Sequence, residues 1–380
     1  MGPRYVVARH CFGGIGDHLS CLAGAWWLAK RTGSTLVVDW RGSRFNPDAS
    51  AQRNCFHVYF EPRPTLGGVE VIADDSVGGL DYPLPIWPEK WTRSTLAGPE
   101  HMKHTADEIV AVNRIVTSEE DPVARTIVLN QWVEPSPPRE AVRVLLDELR
   151  PVESIRIEAQ QFVEEQMGSS PSVAIHLRHG NGENVGARAA YWLGPVALVR
   201  QLAMNARTDM HRPGLSGRFA DNMPLSLVGT PSQAGAEGRF CRHVAAEFRA
   251  LSQAAGLNDA VPMLFCDSEQ IVEAMRQALP SLVVRPKRLL GKGEGPLHQF
   301  DLEAVRISAQ GGVRSGTISD EITRDMFVEL ELMRRCEGLV YMDSGFSLFS
   351  RIKLDESRVV HLEPNLINRF ITKVMARLTA

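Results

Sequence analysis

The sequence predicts an α/β fold of two halves, each built around a parallel sheet. Two observations carry this expectation. Apolar strand-like runs alternate with helix-period segments along most of the chain, the pattern of strands joined by helical, right-handed crossovers. The 380 residues also suffice for two domains of about 100–200 residues each. The segment Glu153–Met167, followed by Gly168–Pro171, reads as a hinge between the halves. The expected domains are therefore 1–165 and 166–364, with a C-terminal helix over 365–380.

The candidate strands are Tyr5–Ala8, Thr35–Trp40, Thr126–Leu129, Ser172–Leu177, Met263–Cys266, Leu282–Arg285, Gly338–Met342 and Arg358–Leu362. Between them lie helical patterns at Asp17–Thr32, Arg139–Leu149, Glu153–Met167, Glu269–Leu279 and Ser319–Arg335. In the first helix Leu19, Leu22, Ala23, Trp26 and Ala29 share a face, and Gly33 suits the position just past its end. Residues 41–105 are rich in Pro and Gly and read as a loop-rich excursion. Residues 207–240, with Pro213, Gly214, Gly217, Pro224, Gly229, Pro231, Gly235 and Gly238, read as a long surface loop or insertion.

Composition narrows the function classes. With 44% hydrophobic and 23% charged residues the chain is an ordinary globular one. Lys plus Arg number 42 against 45 for Asp plus Glu, a net charge of −3, so the basic surplus of a nucleic-acid binder is missing. No run approaches the ~18–20 apolar residues of a transmembrane helix, and a strand-like run from Arg4 leaves no room for a signal peptide. Cys11, Cys21, Cys55, Cys241, Cys266 and Cys336 lack CxxC spacing, which favours reduced thiols and a cytoplasmic location. There is no GxxxxGK[ST], HExxH, GxSxG or DxD motif.

Five segments are suited to chemistry. Gly13–Asp17 lies between the first strand and first helix, where glycines let backbone N–H groups approach an anion. It supports two readings: a dinucleotide turn in which Gly14 and Gly16 precede a ribose-binding Asp39, or a tight turn with Asp17 capping the helix. The run His176–Glu183 follows a buried strand, at the sheet end where α/β proteins bind ligands. There Arg178 and the two histidines, His176 and His179, suit a phosphate, and Glu183 offers a base. Leu264–Glu269 is a strand ending in an acid, with Ser268 or Asp267 as helix cap. Val284–Arg288 gathers three cations at a strand end. Asp343–Arg351 brings hydroxyls and glycine to a helix start, a second phosphate-suited turn. Upstream, Asp325 and Glu329 stand four apart on one helix and share a face.

Arg4–Phe45, with its Gly13–Leu19 turn and the run Ala29–Ser43, resembles the opening of the rhizobial nodulation α-1,6-fucosyltransferases. His176–Glu183, with Tyr191 and Trp192 after it, is similar to that family's donor-binding motif. Pro286–Arg288, Gly295–His298 and Ser347–Arg351 follow in the family's order. The resemblance implies a GT-B glycosyltransferase of two Rossmann-like domains facing across a cleft. It implies GDP-fucose as donor substrate, no cofactor, metal-independent inversion, and a glycan or glycoconjugate acceptor in bacterial glycan biosynthesis. By position, Arg178 would contact the diphosphate and neutralise the leaving group, and His176 and Glu329, or Asp325 nearby, would hold the guanosine. Asp267 would lie near the nucleotide and Ser347 near the phosphates, with Gly14, Gly16 and Asp17 contributed by the facing domain. His179, Asn181, Arg288 and Phe349 complete the expected donor set, and Glu183 is the expected base. Two rivals stand beside this reading: an NAD-dependent oxidoreductase built on Gly14, Gly16 and Asp39, and a GT-B module that binds nucleotide or glycan without turnover.

Overall fold

The computed structural model describes residues 4–10, 14–48, 51–98, 102, 104–117, 123–130, 138–178, 189–192, 195, 198–199, 231–291, 306–307, 313–314, 320–342, 344–364 and 366–379. The strands, in chain order, are β1 Tyr5–Ala8, β2 Thr35–Val38, β3 Thr65–Leu66, β4 Val69–Ile72, β5 Ile86–Trp87, β6 Thr126–Leu129, β7 Ser172–His176, β8 Val261–Phe265, β9 Arg306–Ile307, β10 Val313–Arg314, β11 Gly338–Tyr341 and β12 Val359–His361. The helices are α1 Ile15–Thr32, α2 Phe56–Tyr59, α3 Arg93–Ala97, α4 Ala106–Thr117, α5 Arg139–Glu148, α6 Glu153–Gln166, α7 Ala189–Trp192, α8 Pro231–Ala254, α9 Glu269–Ala278, α10 Asp320–Arg335, α11 Gly345–Lys353 and α12 Leu366–Thr379. The alternation expected from the sequence is present, and among the described residues it builds two main sheets beside a small antiparallel pair, β9 with β10.

The chain divides into two compact units. The first comprises Met1–Gln161, Asp301–Arg334 and Gly345–Lys353; the second comprises Phe162–Phe300, Arg335–Ser344 and Leu354–Ala380.

The first unit holds a sheet in the order β3-β4-β2-β1-β6-β5, parallel except for the β3–β4 pair. Tyr5 at the start of β1 is in register with Thr35 of β2 and Thr126 of β6. Central parallel strands are covered on both faces, which explains why β1, β2 and β6 read as unbroken apolar runs. Helix α1 is buried nearly all round, Trp26 included, and the Trp26 indole donates to Leu66 O at 2.8 Å. It ends at Gly33, whose φ of 61° is left-handed and whose N–H reaches Ala29 O. Helices α10 and α11 also belong to this unit. The Phe327 ring of α10 stacks on Tyr59 of α2 with centroids 4.0 Å apart. Arg139 of α5 donates to Arg351 O at 3.2 Å on α11, and Lys353 lies 3.4 Å from Asp147.

The second unit holds a fully parallel sheet in the order β12-β11-β7-β8. Its core joins Val173, Ile175 and Leu264 to Phe240, Val244 and Phe248 of α8 and to Trp192.

Three expectations are corrected. The excursion at 41–105 is not only loop: it supplies β3, β4 and β5 to the first sheet, strands too short to show a period. The expected loop 207–240 ends early, because α8 begins at Pro231. Proline suits a first helical turn, where its missing N–H is no loss. The earlier part of that stretch, 207–230, lies outside the described residues. Leu282–Arg285 is not a strand but makes a single parallel bridge, Val283 to Met263.

Candidate functional site

In the first unit the glycine turn is a helix start. Asp17 Oδ2 accepts from Gly14 N–H at 2.8 Å, and Asp17 N–H donates to Gly14 O at 3.0 Å. This is the capping arrangement weighed from the sequence, and it uses the Asp17 carboxylate to satisfy an otherwise orphaned donor. At Gly16 the chain is in contact with Gly345: a Cβ built on Gly16 would lie 2.1 Å from Gly345 C, and one on Gly345 would lie 3.2 Å from Gly16 Cα. The amino-terminal turns of α1 and α11 therefore meet through two glycines. Two helix starts, each the positive end of its helix dipole, are thus brought to one place, that of α1 with the Asp17 carboxylate already bound to it. Ser347 and Phe349 follow on α11, both buried. Glu329 of α10 is buried and Asp325, one turn earlier, is half-buried.

Asp39 is not a ribose-binding acid. It is buried completely, with Arg41 Nε donating to Oδ1 at 3.0 Å, Arg41 Nη2 to Oδ2 at 2.9 Å, and Arg9 Nη1 3.4 Å from Oδ2. Burial alone would raise its pKa, but the Arg9 and Arg41 guanidiniums offset this and hold it below the usual carboxylate range. The two arginines also donate to main-chain oxygens of the Thr95–Gly98 segment, Arg41 to Leu96 O and Ala97 O at 2.7 Å, and Arg9 to Thr95 O at 3.2 Å and to Gly98 O. The oxidoreductase reading thus loses the acid it required.

Sequence reasoning also missed a buried neighbour of this turn. His18 accepts from the Ser43 hydroxyl, with Nε2 and Oγ 2.8 Å apart, because its Nδ1 faces the acceptor Gly14 O at 3.2 Å. The helix-face pattern places His18 on α1, but nothing in the sequence pairs it with a serine twenty-five positions on.

In the second unit the expected residues gather at the carboxyl ends of β7 and β8. His176 ends β7, in register with Phe265 on one side and Tyr341 on the other. Its imidazole is buried, and burial, helped by the nearby Arg178 and Lys287 cations, pushes its pKa down to about 3. It is therefore neutral at physiological pH, with one N–H and one lone pair. Arg178 is half-buried, and its carbonyl accepts from the Trp192 indole at 3.1 Å. After β8, Asp267 O accepts from Leu290 N–H at 2.9 Å, and Glu269 N–H donates to Leu290 O at 3.1 Å. This pairing sets the Lys287–Arg288 segment beside the strand end. Ser268 starts α9 without a side-chain capping bond, so the expected cap is backbone only. Arg288 is exposed and Lys287 half-buried. Lys287 belongs to the cation cluster read from the sequence, although its reach to His176 could not be read there. His179, Asn181 and Glu183 lie outside the described residues. Among the described residues no group of three or more His, Cys, Asp and Glu is arranged to hold a metal ion.

Residues 2–215 match the family model for Nodulation protein Z (NodZ). The Nodulation protein Z of Bradyrhizobium diazoefficiens is 26% identical over 377 residues, covering 97% of this chain and 83% of that protein. That of Sinorhizobium fredii is also 26% identical, covering 98% of this chain and 97% of its own. The solved NodZ α-1,6-fucosyltransferase soaked with GDP-fucose aligns with a TM-score of 0.58 at 23% identity, covering 97% of both chains. That likeness, at low identity, establishes a shared fold. The family expected from the opening segment and the His176–Glu183 run is borne out: the chain belongs to the Nodulation protein Z family.

Proposed function

We propose that this chain transfers fucose from GDP-fucose to a hydroxyl of a glycan acceptor, α-1,6 to an N-acetylglucosamine-type sugar, with inversion and without a metal ion. The observation that carries the reading is the carboxyl ends of β7 and β8, where buried His176 ends its strand with the Arg178 and Lys287 cations nearby. It occurs in a family with solved fucosyltransferase members, one co-crystallised with GDP and one soaked with GDP-fucose.

The chemistry is coherent with these groups. A fucosyl transition state resembles an oxocarbenium ion, so negative charge grows on the departing GDP. Arg178 neutralises that charge, and losing one such donor costs roughly 10²–10³ in rate. Neutral His176 can donate and accept at the guanosine without adding charge, while Glu329 or Asp325 accepts from the guanine edge. Asp267, His179, Asn181 and Arg288 contribute around the nucleotide. Gly16, Ser347 and Phe349 belong to the paired starts of α1 and α11, where Gly14 and Asp17 donate their N–H groups to one another. Glu183 takes the acceptor's proton. With the Arg178 guanidinium to answer the charge of the diphosphate, this reading calls for no divalent cation. The setting is cytoplasmic synthesis of a bacterial glycan, supported by buried free thiols at Cys21, Cys55, Cys241, Cys266 and Cys336. No helix among the described residues is long and apolar enough to cross a membrane.

The test is the thermal midpoint with GDP, GDP-fucose, GDP-mannose, UDP, UDP-glucose and NAD, each with and without chelator. A ligand at 100 times its Kd stabilises by about 2.7 kcal/mol. Stabilisation by GDP and GDP-fucose that survives chelator is expected. Stabilisation by NAD alone overturns the reading, and GDP binding without transfer or donor hydrolysis marks a binding module instead.

A further inference from the structure

Helix α12 presents an apolar surface to solvent. Leu366, Ile367 and Phe370 are 78%, 61% and 69% exposed, and Val374 continues the row. Phe370 is the only aromatic among the large exposed hydrophobics of the described residues. The other side of the helix is the packed one, since Asn368 is buried. The segment leading into α12 is anchored by Tyr191, whose hydroxyl donates to Leu362 O at 3.2 Å. Exposed Leu, Ile and Phe on one helix have a solvation cost that a soluble surface does not require.

Charge decides what covers this face. From Leu366 to Thr379 the sequence has Arg369, Lys373 and Arg377 and no acidic residue, although the whole chain carries −3. The four-residue spacing puts positions 369, 373 and 377 on one helix row, flanking the row of 366, 370 and 374. Arg369 pairs with Glu363, just before the helix. An apolar row with a cationic flank is the pattern of a helix lying in a lipid headgroup layer. A second copy of the same face is disfavoured, because a two-fold pairing would bring cations against cations with no acid on the helix to answer them.

We propose that α12 docks the protein on an anionic lipid bilayer, with Leu366, Ile367, Phe370 and Val374 entering the interface and the basic sequence of the helix answering the lipid charge. This inference is independent of the transfer reaction.

Flotation of the full chain with vesicles tests it, using phosphatidylcholine alone and phosphatidylcholine with phosphatidylglycerol. Binding to the anionic vesicles only, weakening as salt rises, is expected. Phe370→Ser should weaken it about tenfold through lost apolar burial, and Lys373→Glu roughly 30-fold through charge reversal near the surface. Helix content by circular dichroism and the GDP-induced shift in thermal midpoint should stay unchanged in both variants. No flotation, or equal flotation with neutral vesicles, overturns the proposal. So does a dimer in light scattering that Phe370→Ser splits without any vesicle binding, which would make this face a contact between copies.

Discussion

At the scale of single residues, the buried charges have fixed partners. Asp39 neutralises one of two buried guanidiniums, so Asp39→Asn leaves Arg9 and Arg41 facing each other across a neutral amide. Breaking a buried pair in this way costs about 3–5 kcal/mol, and denaturant unfolding should show that loss. A change below ~1 kcal/mol would mean the main-chain carbonyls at 95–98 suffice to hold both arginines. Arg178 is different, because its side chain is only half-buried and its backbone carbonyl, not its guanidinium, makes the bond to Trp192. Arg178→Ala should therefore lower transfer by roughly 10²–10³ with little change in thermal midpoint. A large fall in stability would mark the residue as structural. The types of these residues were legible in the sequence, but their partners were not. Asp39 read as a ligand-binding acid because it ends a strand. Only the fold reveals that Arg9 and Arg41, at the ends of neighbouring strands, have already claimed it.

At the scale of elements, two helix starts meet through glycines, and the two glycines of the first turn answer differently to a side chain. Gly16→Ala places a methyl 2.1 Å from the Gly345 backbone, so α1 and α11 must separate. A loss of about 3 kcal/mol or more is expected, with weakened GDP binding. Nothing lies within 4 Å of a Cβ on Gly14, whose φ is −85°. Gly14→Ala should cost less than ~1 kcal/mol, and an equal loss in both variants would refute the close approach. The long strands and helices were legible because several turns or alternations average over local exceptions. Strands β4 and β5 were hidden, since four and two residues set among prolines carry no readable period. The start of α8 was masked by composition. Gly235 and Gly238 suggested a loop, yet both sit in the helix, and the nearest atoms to a built Cβ are the ends of the flexible Arg239 and Arg242 side chains.

At the scale of the whole molecule, stability should fall in mild acid for an identifiable reason. Burial holds His176 at about 3, and burial with the Lys90 cation holds His104 at about 4 against the opposing pull of Glu108. In the unfolded chain both take up a proton near pH 6.5. The folded state is thus fully favoured above about pH 6.5 and loses stability as pH falls through the window down to 4 and 3. The loss is of order 2 kcal/mol for each histidine by pH 5. The double variant His104→Gln/His176→Gln should flatten the stability profile between pH 6.5 and 5, read by denaturant midpoints; an unchanged slope would assign the acid sensitivity elsewhere. The fold class, with its two parallel sheets, was legible from alternation alone. The family was legible from one eight-residue run and an opening segment. Arg9 and Arg41 grip the Thr95–Gly98 segment by its peptide oxygens, which every amino acid supplies. The exposed positions Ser94 and Ala97 can therefore be randomised in a library while the fastening stays in place, provided that Thr92, which caps α3, and Arg93, which donates to Tyr82 O at 2.8 Å, are kept; a one-residue deletion there would shift the oxygens out of reach and release the whole excursion.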